Sequence, residues 1–137
     1  MSHPGALRWL ITLDPSPDHA LRWMLGTGRV LVPLGHAVSA VRTTGHQGLR
    51  AAARVPGPAV HHERSGHVFH LVPPDAEWTS AAGTLLGVDH WLALPAPEVL
   101  EPPGTYWLSP PDGTGTLTDL AALAEALTPQ LPAEAVR

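Results

Sequence analysis

Four histidines fall within one short stretch, His61, His62, His67 and His70, with Glu63 among them and the pair Asp89-His90 further along. Neutral imidazole is a good ligand for zinc, nickel or copper, and a carboxylate can complete such a set. The connection Glu63–Gly66 sets His62 opposite His67 if the flanking segments pair as a hairpin. His90 offers a third ligand where its strand lies adjacent. Strand alternation works against convergence: His67 goes with Phe69 and Leu71 to one face, His70 with Val68 and Val72 to the other. Partly buried histidines bonded to backbone are the commoner outcome. His62 and His67 are the metal candidates carried forward, and no resident metal or cofactor is expected.

Arginine supplies the second chemistry. The chain contains no lysine and carries a net charge of −4, unevenly spread. Residues 1–64 hold seven arginines against Asp14, Asp18 and Glu63, while residues 65–137 hold nine acids against Arg137 alone. A phosphate-binding face must therefore draw on Arg22, Arg29, Arg42, Arg50, Arg54 and Arg64, because neutralising phosphate supplies most nonspecific affinity for nucleic acid. The plainer account is solvated surface arginine.

Other chemistries are excluded or weakly supported. Without cysteine there is no disulfide, thiolate ligand or cysteine nucleophile. A phosphate loop ending in Gly-Lys is impossible without lysine, and Gly26-Thr27-Gly28 is too short for one. Asp112 puts negative charge beside Gly113-Thr114-Gly115, which reads as a turn. Ser39 and Ser65 lack the strand-turn-helix setting of a nucleophile elbow. Trp9, Trp23, Trp78, Trp91 and Trp107 fall mainly inside predicted elements and read as core or core edge rather than base-stacking platforms. Paired prolines at 73–74, 102–103 and 110–111 read as stiffened connections.

The elements that must hold these residues are short. Pro4 suits a first helical turn, with Leu7, Leu10 and Ile11 on one face. A second helix has Ser16 as cap, Pro17 at its first position, Gly26 as its stop, and Leu21, Met24 and Leu25 as its apolar face. Arg29–Leu34 and Ala37–Thr43 read as strands, and Gln47–Arg54 as an arginine-bearing helix ended by Pro56-Gly57-Pro58. Ala59–His62 and His67–Val72 form a hairpin. Leu85–Leu94 and Thr105–Ser109 are further strands. Thr118 caps a last helix with Leu120, Leu123 and Leu127 on one face, ended by Pro129.

At 137 residues the chain makes one domain, residues 1–129, with a tail at 130–137, and buries about 68% of its unfolded surface. The expected class is α+β: a single compact domain with a mainly antiparallel sheet, N-terminal helices and one C-terminal helix. Apolar runs fall well short of the ~20 residues that span a bilayer. The N-terminus has no basic region leading into an apolar core and a cleavage site, so no membrane partner and a cytoplasmic location are expected.

Ser65-Gly66-His67-Val68-Phe69-His70-Leu71-Val72-Pro73-Pro74, then Gly87-Val88-Asp89, then Pro95 through Gly104-Thr105-Tyr106-Trp107, follow a familiar order. This order resembles the second half of the archaeo-eukaryotic-type primase/polymerase module of bacterial bifunctional primases. The likeness covers residues 20–117 and includes Ala20-Leu21-Arg22-Trp23 leading into Arg29–Leu34. The ending Trp107-Leu108-Ser109-Pro110-Pro111-Asp112-Gly113, continuing through Thr118-Asp119, is similar to that of small actinobacterial relatives of these primases.

The resemblance implies that His67 matches the family's phosphate-contacting histidine and Asp89 its third acidic residue. It also implies an Asp-x-Asp pair to hold divalent metal, since hard Mg²⁺ needs carboxylate oxygens. The matching strand, Ala37-Val38-Ser39-Ala40-Val41-Arg42-Thr43-Thr44, contains no acid, and Arg42 stands near where one is wanted. One carboxylate and one histidine cannot assemble a two-metal site. The expectation is a degenerate, non-catalytic primase/polymerase-like domain acting as a protein-interaction or regulatory module, with a protein partner or a second copy of itself. The alternative is residual nucleotide or nucleic-acid binding through His67, Asp89, Arg42, Arg50, Arg54 and Arg64. The purified chain should neither extend nor synthesise a primer with Mg²⁺ or Mn²⁺. Template-dependent incorporation that Asp89→Ala abolishes would overturn this.

Overall fold

A computed structural model describes residues 4–127. The elements run α1 (Pro4–Ile11), α2 (Pro17–Thr27), β1 (Arg29–Pro33), β2 (Ser39–Thr44), α3 (Gly45–Arg54), β3 (Ala59–His62) and β4 (His67–Val72). They continue with β5 (Thr84–Leu86), β6 (Trp91–Pro95), β7 (Thr105–Ser109) and α4 (Leu120–Leu127). Five strands form one sheet in the order β5-β2-β4-β3-β7, while β1 and β6 form a separate two-stranded ribbon. Every pairing is antiparallel. The protein is a single-domain α+β fold. No helix among the described residues is long and apolar enough to cross a membrane.

Cross-strand partners share a face, which divides the large sheet cleanly. One face carries Val41 and Val72, and packs with Ala51 of α3 and Leu123 and Leu127 of α4. The other carries Ala40, Val60, Leu71, Leu86 and Trp107, and packs with Leu10, Met24 and the inward residues Val30, Val32, Leu92 and Leu94 of the ribbon. Trp107 is the largest fully buried side chain. Its indole Nε1 donates to the Pro95 carbonyl at 3.0 Å, tying sheet to ribbon.

Several expected details shift. The span Leu85–Leu94 is two strands in different sheets, broken where the His90 amide donates to the Gly87 carbonyl at 3.1 Å and Asp89 takes φ 78. Aspartate tolerates that left-handed conformation better than most residues. The chain crosses between the same two sheets at Gly35, where an added Cβ would stand 2.6 Å from the Val88 nitrogen.

Helix α2 passes Gly26 and ends at Gly28, whose left-handed backbone lets its amide donate to the Met24 carbonyl at 2.8 Å. Its buried residues are Ala20 and Met24, whereas Leu25 is 76% exposed. Leu7 is likewise exposed, and Ala6 and Leu10 carry the buried side of α1. The cap of α4 is Asp119, whose carboxylate accepts from the Ala122 amide at 2.9 Å; Thr118 is buried instead. Pro129 and residues 130–137 lie outside the described residues.

Helix α3 lies close over the sheet because it presents Gly48. A Cβ there would collide with Thr43 Oγ1 and come within 3.0 Å of Val68 Cβ. Gly26 has nothing within 4 Å of its added Cβ. Alanine gains up to about 1 kcal/mol of helix propensity over glycine, while overpacking costs about 1–3 kcal/mol. Gly26→Ala should therefore raise the denaturation midpoint and Gly48→Ala should lower it. Equal shifts in urea melts would refute the close approach.

Candidate functional site

The hairpin of β3 and β4 places His62 directly opposite His67, and His62 also pairs with Thr105 of β7. His67 in turn pairs with Thr44 of β2. These residues form one row at the end of the sheet face that looks toward the ribbon. The row above it holds Arg42 opposite Phe69, and Phe69 opposite Val60. Arg29, Leu92 and Ala93 of the ribbon stand across from them. Together His62, Ser65, His67, Phe69, Thr105 and those three residues line a cleft of about 340 Å³.

Local sequence fixes the row. Ser65 Oγ lies 2.7 Å from His62 Nδ1 and accepts from the His67 amide at 3.2 Å, closing the turn onto both histidines. The His67 ring meets Phe69 edge-on, with centroids 6.0 Å apart. Glu63 points elsewhere and accepts from the Gly104 amide at 3.3 Å. Among the described residues no carboxylate is bonded to the Ser65–His62 pair, whose contacts close the turn.

The other two histidines face α3 and α4, as alternation requires. His61 Nδ1 lies 2.9 Å from the Tyr106 hydroxyl. His70 Nε2 lies 2.9 Å from Thr43 Oγ1 in a fully buried pair. Burial pushes the His70 pKa down to about 4, so the ring is neutral at physiological pH. Among the described residues no three His, Asp or Glu side chains group as a metal site.

The expected nucleic-acid set does not assemble in one place. Arg42 shares the sheet face of His67, one row away. Arg50 and Arg54 are exposed on α3, which packs on the opposite face. Arg64 is exposed in the hairpin turn. Asp89 lies beyond Leu86, which pairs with Ala40, whereas His67 pairs with Thr44. Thr44 and Ala40 are about 13 Å apart along β2 at about 3.3 Å per residue, so His67 lies toward one end of the sheet and Asp89, past Leu86, toward the other.

Arg29 is the cationic residue that does reach the cleft. A second cavity of about 300 Å³, lined by Trp23, Thr27, Arg29, Val30, Leu31 and Ala93, adjoins the first. A third, lined by His19, Arg22, Trp23 and Thr27, continues from it. No carboxylate lines any of the three. Sequence alone offered Arg29 only as one of six arginines. The strands Arg-Val-Leu-Val-Pro and Trp-Leu-Ala-Leu-Pro carried the further signal, because apart from Arg29 both are apolar on both faces. Comparison with protein-family models, curated proteins and solved structures finds no match to this chain.

The buried histidine sets a pH dependence of stability. His70 titrates at about 6.5 when unfolded but near 4 in the fold, so between those values the unfolded chain binds more protons. Its contribution is complete above pH 6.5 and falls as the pH drops toward 4, by roughly 3 kcal/mol in total. Urea denaturation at pH 7 and pH 4.5 should show this slope, and His70→Gln should remove it. An unchanged slope in that variant would refute the assignment.

Proposed function

We propose that this chain is a non-catalytic, primase/polymerase-like domain that works by contact with another protein chain, in a regulatory role. The observation that carries this is the outer face of the β1–β6 ribbon. Leu31 pairs with Ala93 and Pro33 with Trp91, so four apolar residues adjoin on one side. Trp91 is 61% exposed and Leu31 40% exposed. Antiparallel strands with one solvated face normally alternate apolar inward and polar outward. Here Val30, Val32, Leu92 and Leu94 already fill the inner face, and only Arg29 breaks the apolar outer one. A contiguous exposed apolar patch of this kind marks an interaction surface.

Carboxylate placement supports the non-catalytic part of this reading. β2 carries no acid, and Asp89 and His67 are held at opposite ends of the sheet. A nucleotide or nucleic-acid reading draws on a different observation: the cleft with Arg29, His62, His67 and Phe69 carries positive and aromatic groups without any carboxylate.

A photo-crosslinking residue placed at Trp91 should give a discrete crosslink to a protein chain, either another copy or a different protein. The same residue at Arg54, on the far side of the sheet, should give none. Crosslinks only to nucleic acid, or equal crosslinking at both positions, would sink the contact reading.

A further inference from the structure

We propose that the partner chain is a second copy of this protein, with the Glu98–Glu101 loop of each copy seated in the Trp23–Arg29–Leu31 groove of the other. This rests on the contact reading above and names its occupant.

The groove has an apolar floor and a cationic rim. Trp23 is 43% exposed and Leu31 40% exposed, Ala93 completes the floor, and Arg29 stands within it. Arg22 lines the adjoining cavity beside Trp23. Such a surface takes a segment with an apolar anchor between carboxylates. The chain contains one in the loop between β6 and β7. Leu100 is 49% exposed, with Glu98 and Glu101 exposed on either side of it.

The loop is held ready for contact. The Val99 amide donates to the Ala96 carbonyl at 3.0 Å, and the Trp107 amide donates to the Val99 carbonyl at 2.8 Å. Pro97, Pro102 and Pro103 restrict the remaining backbone. A segment already ordered loses little further entropy on docking. Among the described residues, none of Arg22, Arg29, Glu98 or Glu101 takes part in an ion pair within the chain, so all four charges are open to a partner.

Position favours a closed pair over an open chain of copies. The Ala96 amide donates to the Gly28 carbonyl at 3.1 Å, so the loop starts beside the residue that precedes Arg29. Two complementary patches that adjoin on one surface suit a two-fold axis between them, because each then meets its complement in the same event. The rim charges sit at the surface and are screened over about 8 Å at physiological salt. Association should therefore weaken as salt rises, while the apolar seat retains part of it.

Charge exchange tests this directly. Arg29→Glu gives a chain whose groove and loop are both acidic there, and Glu98→Arg with Glu101→Arg gives one whose groove and loop are both basic. Each variant alone should dimerise at least tenfold more weakly than the wild type in sedimentation equilibrium, a change of about 1.4 kcal/mol. Mixed in equal amounts, the two should form a heterodimer near wild-type affinity, since both contacts are then complementary. Melting curves matching the wild type establish that the variants fold. If a variant is unfolded, Leu100→Asp replaces it and should also abolish pairing. A monomeric wild type at several hundred micromolar and low salt would overturn the proposal. So would dimerisation that the exchanges leave untouched, or salt-sensitive binding of a labelled single-stranded oligonucleotide by an Arg29-dependent monomer. A discrete crosslink from Trp91 to a different protein would separate failure of self-pairing from failure of the contact reading.

Discussion

The position of Trp107 is the constraint on which the remaining architecture depends. A two-stranded ribbon has too little surface of its own to be stable in water, so β1 and β6 must be held against something. The indole of Trp107 sits fully buried between the large sheet and the ribbon, and its Nε1 bonds the Pro95 carbonyl at the end of β6. Buried indoles need a partner for that N–H. Satisfying it from the ribbon makes one side chain both filler and fastener. The Trp107 amide does a second job, donating to the Val99 carbonyl and fixing the loop that follows β6.

Once the ribbon is fastened there, its other end must join the large sheet, and two tight crossings do so side by side. One runs through Gly35 and the other through Gly87–His90, joined where the Leu34 amide donates to the His90 carbonyl at 2.9 Å. The arrangement explains why Asp89 and His67 lie far apart. Asp89 belongs to the crossing, at the Ser39 end of β2, and His67 belongs to the hairpin row at the Thr44 end. The ribbon also covers only part of the sheet face. The uncovered end, with His62, His67 and Thr105, becomes the cleft wall.

The sequence was legible where short-range rules decide the outcome. The β3–β4 hairpin and its His62–His67 pairing follow from loop length and period-two alternation, and the separate fates of His67 and His70 follow with them. The break within Leu85–Leu94 was hidden, because Gly87-Val88-Asp89 reads as strand until Gly35 is known to pack on Val88. Membership of two different sheets is a long-range fact that no local pattern in β1 or β2 encodes. The tryptophans show the same division. Trp107 in β7 is core, as its apolar setting suggests, whereas Trp91 faces outward because register puts it opposite Pro33 on the ribbon's outer side. The stop of α2 at Gly28 rather than Gly26 turns on a backbone conformation, since both residues are glycine.

The distribution of charge follows from what holds the fold together. Packing, backbone ladders and a few buried polar pairs such as Thr43–His70 carry the interior. The ion pair of His19 with Asp14 lies at the surface, where such pairs contribute about 0–1 kcal/mol. Carboxylates contribute locally instead, as Asp119 does in capping α4 and Glu63 in accepting from the Gly104 amide. The sequence splits into a basic first half and an acidic second half, but the fold disperses the arginines, with Arg42 on the ribbon side of the sheet, Arg50 and Arg54 on α3, and Arg64 in the hairpin turn. In general, charges held apart on a surface steer encounter and fix the register of two surfaces, which is the part that Arg29 and Glu98 would play in the proposed contact. The ribbon's apolar outer face, with Leu31 and Trp91 exposed, is the feature that water disfavours in an isolated chain, and the proposed contact would cover it, while the hydrated Arg29 beside it would set the register of that contact.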